Sequence, residues 1–76
     1  MARGWIHTTY RQATGDWANT VEGNDRASSV HATKDEAVRR GRELAINART
    51  EHVIHNMDGS IASRNSYGSD PYPPPG

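Results

Sequence analysis

Between Arg26 and Arg49 the chain reads RASSVHATKDEAVRRGRELAINAR, a short β-prone run that hands over to a helix, and this block constrains the fold more than any other stretch. Thr33 stands directly before the periodic segment and Glu36 follows three residues later. That spacing makes a capping box, in which the threonine hydroxyl accepts from the Glu36 amide and the glutamate carboxylate reaches back to the Thr33 N–H. Asp35 and Glu36 in the first turn and Arg49 in the last match the helix dipole at both ends. At 100° per residue, Ala37, Val38, Gly41, Leu44, Ala45 and Ala48 form one stripe, with Arg39, Glu43 and Ile46 roughly opposite. The stripe is made mostly of small residues, and a mid-helix glycine costs about 1 kcal/mol relative to alanine. The expectation is a helix lying close against a sheet whose Trp and Ile side chains fill the gap. On the wet side, Glu36 with Arg40 and Arg39 with Glu43 are spaced for i,i+4 ion pairs.

A chain of 76 residues makes one domain, and at that size only about 60% of the unfolded surface is buried on folding. With four Ile, four Val, one Leu and no Phe, the core depends on Trp5, Trp17, Tyr10 and Tyr67, since each large ring buries about 150–250 Å². There is no cysteine, so no disulfide adds support, and this fits a reducing compartment. No apolar run approaches the roughly 20 residues that span a bilayer, and MARGWIHTTY lacks the apolar centre of a signal peptide. The expectation is a cytoplasmic protein with no membrane partner. A formal net charge of zero removes the strongest argument for a nucleic-acid partner, because such domains usually carry a basic excess.

Trp5 to Arg11 is aromatic and β-branched and reads as a strand, with Trp5, His7 and Thr9 on one face and Ile6, Thr8 and Tyr10 on the other. Gly15-Asp16 signals a turn into a second strand, Trp17 to Glu22. Gly23-Asn24-Asp25 marks another turn before a third, Ala27 to Ala32. After the helix, His52 to Met57 and Ser60 to Asn65 flank Asp58-Gly59, a pairing suited to a type I′ hairpin. In that register Ile54 and Ile61 share the core face. The result is an α+β domain over 1–67, a four- or five-stranded antiparallel sheet in the order β-β-β-α-β-β with one helix on one face. Residues 68–76 are proline-rich and form a tail or strap, in which Tyr67 and Tyr72 would lie on a sheet face supplied by Trp5, Val53 or Met57, with Gly68 giving the bend.

The segments ASSVHATKDEA, VIHNMDGSI and SYGSDPYPPPG resemble, in order and spacing, a family of small bacterial proteins known as domain-of-unknown-function family 2188. The resemblance runs over nearly the whole chain. It implies a compact bacterial domain, often a stand-alone protein, and supplies no activity, catalytic residue or cofactor.

Four histidines raise the question of a metal. His52 and His55 point to opposite faces of a strand and cannot chelate together, so a site would need His55 with His31 and His7 across strands. A triad from Ser28 or Ser29, His31 or His55 and Asp58 or Asp70 is conceivable, yet the chain has no nucleophile elbow and no glycine-rich phosphate loop. No catalytic residue, cofactor or metal ligand is therefore assigned, and a small hydrolase or metal protein using His31 and His55 ranks last. Arg39, Arg42 and Arg49 fall along one helix flank and, with exposed aromatics for stacking, could contact nucleic acid. The bland alternative pairs those arginines with Glu36 and Glu43. The leading expectation is a non-catalytic binding or assembly module, a homodimer or one half of a protein complex. Its interaction residues would be Trp5, Tyr10, Val53, Met57, Tyr67 and Tyr72, on the sheet face left uncovered by the helix.

Overall fold

The computed structural model describes residues 4–24 and 26–68. Five strands and one helix follow in the order β1 (Ile6–Arg11), β2 (Asp16–Val21), β3 (Ala27–His31), α1 (Lys34–Ala48), β4 (Glu51–His55) and β5 (Ile61–Ser66). They form one sheet, ordered β3-β2-β1-β4-β5, with α1 packed against β1, β2, β3 and β4. The strands and helix fall where the residue patterns place them, within a residue or two.

The sheet is mixed and not purely antiparallel as expected. β1 and β4 pair in parallel, with Ile6 opposite His52 and Thr8 opposite Ile54. The reason is topological. A helix laid across a sheet carries the chain back to the end where the preceding strand began, so the next strand repeats that direction. Fifteen residues of α1 cover about 22 Å, enough to return along β3. Since β3 and β1 are both antiparallel to β2, β4 is parallel to both.

The helix starts on Thr33, whose side chain accepts from the Glu36 amide at 3.2 Å. It ends on Arg49, which adopts the left-handed conformation at φ 54° and bonds back to the carbonyls of Ala45 and Ile46. Arg49 is therefore the cap beyond the helix and not a basic residue of its last turn. The exposed ion pair of α1 joins Arg40 to Glu43 at 3.0 Å, in place of the two i,i+4 pairs expected.

At the β4–β5 turn Gly59 has positive φ, and Asp58 does not. Asn56 N–H donates to the Ser60 carbonyl at 2.7 Å and Gly59 N–H to the Asn56 carbonyl at 2.9 Å. The connection is thus a three-residue loop closed by Gly59, not the two-residue type I′ turn, because Asp58 spends its carboxylate on the Ser60 amide and hydroxyl, at 2.9 and 2.7 Å. A register shift between Ile54 and His55 then places Ile61 opposite His55. Ile54 is buried while Ile61 is 61% exposed, so only one of the two isoleucines expected in the core is there.

Ala37, Gly41 and Ala45 make the buried line of the helix, as the stripe of small residues requires. What presses on it is different from the Trp and Ile expected. A Cβ on Gly41 would stand 2.5 Å from His52 Nε2, 2.6 Å from Asn19 Oδ1 and 2.8 Å from Thr8 Oγ1. The apolar core, with Ile6, Trp17 and Ile54, surrounds this polar centre. Gly41→Ala gains about 1 kcal/mol of helix propensity but forces a methyl into three polar atoms, an overpacking that costs more. We expect a net loss, a Tm lower by about 5–15 °C in thermal unfolding followed by circular dichroism; an unchanged or raised Tm would contradict this close approach.

Candidate functional site

Three clusters of polar side chains stand out, one beneath the helix, one on the opposite sheet face and one on the helix flank. The first is a hydrogen-bonded ribbon crossing four strands. His52 Nε2 lies 2.7 Å from Thr8 Oγ1, Thr8 Oγ1 2.5 Å from Asn19 Oδ1, Asn19 Nδ2 3.1 Å from Ser29 Oγ, and Ser29 Oγ 3.0 Å from His31 Nε2.

One backbone carbonyl sets the direction of this chain. Ala37 O can only accept, and it takes the Asn19 amide N–H at 2.9 Å, so Asn19 Oδ1 must face Thr8 and accept from it. Thr8 has a single hydroxyl proton; having given it to Asn19, it must accept from His52 Nε2–H. His52 thus needs no positive charge to complete its bond, and it is 1% exposed. Burial first, then the charges of Arg42 and His7, hold its pKa below the ordinary 6.5.

The second cluster lies on the face turned away from α1. His7 Nδ1 and His55 Nε2 are 3.0 Å apart, His55 Nδ1 is 3.2 Å from the Gly59 carbonyl, and His7 Nε2 is 3.4 Å from Glu22 Oε1. The ring centroids are 5.2 Å apart, close to the nitrogen gap plus two ring radii. The two nitrogens therefore point at each other in a hydrogen bond and do not converge on a third point as two ligands of one metal would. Among the described residues no group of three or more metal-ligating side chains occurs. Beside the pair, the Arg64 guanidinium lies over the Trp5 ring at 5.3 Å and 3.3 Å from Glu51.

The third cluster is an open groove of about 390 Å³ lined by Lys34, Asp35, Val38, Arg39 and Arg42. Lys34 Nζ also sits over the Trp17 ring at 5.4 Å.

The residues singled out in the sequence are distributed across these places. His31 belongs to the ribbon and His55 to the opposite face, so the two are not brought together, and the groove contains neither a histidine nor a serine. Trp5 is on the uncovered face. Tyr10 lies opposite Trp17 and packs on its ring at 5.1 Å, on the helix side. Val53 is buried, Met57 is exposed in the β4–β5 turn, and Tyr67 is half-buried with its N–H bonded to the Thr50 carbonyl at 3.2 Å. Gly68 gives close approach, since a Cβ there would stand 2.6 Å from the Arg49 carbonyl. Tyr72, Asp70 and the rest of the strap lie outside the described residues. Arg39 and Arg42 line the groove; Arg49 does not. Thr8, Asn19 and Lys34 were the residues missed; the sequence points to His7 only as a third metal ligand beside His31 and His55, and to His52 only as a chelating partner of His55. The histidine pair follows from the parallel register of β1 and β4, which sets His7 opposite Val53, two residues before His55 on the same strand face.

The fold defines a class of small α+β proteins in which one helix closes a five-stranded mixed sheet over a polar centre. Within that class this chain belongs to domain-of-unknown-function family 2188, described as "uncharacterized protein conserved in bacteria", whose family model matches residues 6–67. It is also similar to the uncharacterized protein YdaT of Bacillus subtilis strain 168, 40% identical over 53 residues, which are 70% of this chain. The chain spans 35% of the length of that relative. No solved structure matches it.

Because the folded protein resists protonation of His52 and the unfolded chain does not, the stability contributed by the neutral imidazole is complete above pH 6.5 and is lost as pH falls from there through the lower folded value. The difference in urea midpoint between the wild type and His52→Gln, which keeps an N–H donor without a titrating ring, should be flat above that pH and narrow below it. Parallel curves would contradict it. Thr8→Val, which orphans Asn19 Oδ1 and the His52 N–H, should cost about 1–3 kcal/mol in the same titration.

Proposed function

We propose that this protein is a non-catalytic binding or assembly module that acts through the sheet face turned away from α1, with a second copy of itself as the first partner. The observation that carries this reading is β5. Among the described residues it packs on β4 alone, makes no contact with α1, and has all six of its residues exposed. A strand paired along one side and covered on neither face leaves a row of backbone donors and acceptors that another chain can complete. Trp5, Val30 and Ile61 add exposed apolar surface, and two copies related by a twofold axis would present the same edge to each other.

The non-catalytic part of the reading is supported by the separation of the histidines. His31 and His55 lie on opposite sides of the sheet, and the groove on the helix encloses neither. Among the described residues no helix is long and apolar enough to cross a membrane. With no cysteine in the chain, we place the protein in the cytoplasm.

Light scattering at micromolar concentration should give twice the 8.4 kDa chain mass. Ile61→Lys, at the start of β5, should shift the equilibrium towards monomer while the far-UV spectrum stays unchanged, whereas Val30→Lys, on the opposite edge strand β3, should dimerise like the wild type. A monomeric mass at every concentration, or an Ile61→Lys variant that dimerises like the wild type, would count against this reading.

A further inference from the structure

The two flanks of α1 are not equivalent. On one, Arg40 pairs with Glu43. On the other, Lys34, Arg39 and Arg42 line the groove with Asp35 as its one acid, and no ion pair to a carboxylate within 4.0 Å joins any of the three to the described residues. The alternative in which Glu36 and Glu43 neutralise the helix arginines is therefore not realised for Arg39 or Arg42. The net neutrality of the chain hides a local excess of three cations over one carboxylate.

We propose that this groove binds the phosphate backbone of a single nucleic-acid strand. From Lys34 to Arg42 the groove runs about 12 Å along the helix axis, so its cations face a row of charges and not one small anion. Its open form suits a chain lying along it. Arg39 and Arg42 each offer a planar fork of donors, which matches the paired oxygens of a phosphodiester, and Lys34 supplies a point charge at the far end. Asp35 disfavours a second phosphate on its side and limits the contact to a few charges. The surface is separate from the sheet face and from β5, so it operates in a monomer or a dimer. Trp17, beneath Lys34, is 7% exposed, so among the described residues no ring lines the groove for a base to stack on. Contact is thus to the backbone, without sequence preference.

The test is fluorescence anisotropy of a labelled single-stranded oligonucleotide titrated with the full chain. The expected dissociation constant at low salt is in the range of about 10⁻⁴–10⁻⁶ M, with log K falling against log salt at a slope of about −2, as two to three phosphate contacts require. Lys34→Gln, Arg39→Gln and Arg42→Gln combined should weaken binding at least tenfold and flatten the slope. Arg26→Gln with Arg49→Gln, which removes equal-sign charge elsewhere, should leave both nearly unchanged. The proposal is overturned by any of three results: no binding at low salt, equal loss in both sets of variants, or displacement by polyglutamate as effective as by unlabelled oligonucleotide. The last would assign the groove to an acidic polypeptide. Circular dichroism of the groove variants checks that they fold; Arg39 and Arg42 are exposed and Lys34 is half-buried over Trp17.

Discussion

The carbonyl of Ala37 is the point on which the interior turns. It belongs to the helix, yet it also receives the Asn19 amide, and through Asn19 it orients Thr8 and His52 on two further strands. A chain with a thin apolar core has placed a polar knot at its centre, and the knot is tolerable only because each bond has a defined donor and acceptor. Gly41 is the geometric counterpart. Only a residue without a side chain lets the helix settle onto three polar atoms at 2.5–2.8 Å from where a Cβ would be. The small residues of α1 and the polar residues of β1, β2 and β4 are two halves of one arrangement.

Much of this architecture is legible in the residues. The Thr33 cap, the small-residue stripe and the alternation in WIHTTYR each specify a local structure with little competition, and each is found. The stripe even announces a close contact. What it cannot announce is the chemistry on the far side, because helix periodicity describes one partner of an interface. Thr8, Asn19 and His52 are each ordinary strand residues in their own segments, separated by 11 and 44 positions from the partners they bond. Their convergence exists only once strand order is known.

The errors in strand direction and in the last hairpin have separate causes. A β-α-β sequence already contains the parallel pairing, but hairpin signals on both sides of the helix favour an all-antiparallel reading. In the final hairpin, Asp58-Gly59 supplies the right residues for more than one turn, and the choice falls to the bonds from Asp58 to Ser60. That choice decides whether Ile61 is core or surface. The helix arginines teach a related lesson: equal numbers of acids and bases along a helix do not imply that they meet, since Arg40 takes Glu43 while Arg39 and Arg42 turn to the other flank.

The parallel seam between β1 and β4 also sets the longest loop that the strand pairings of this fold must close. The β1-β2-β3 meander, the helix and the β4–β5 hairpin each rest on contacts close in sequence, and such units form quickly. Joining Ile6 to His52 instead closes a loop that contains most of the molecule, and its entropy must be met before the Thr8–His52 bond returns anything. Among the strand pairings the seam carries the greatest loop-closure cost, and α1, which packs against strands on both sides of it, ties the two halves together across it.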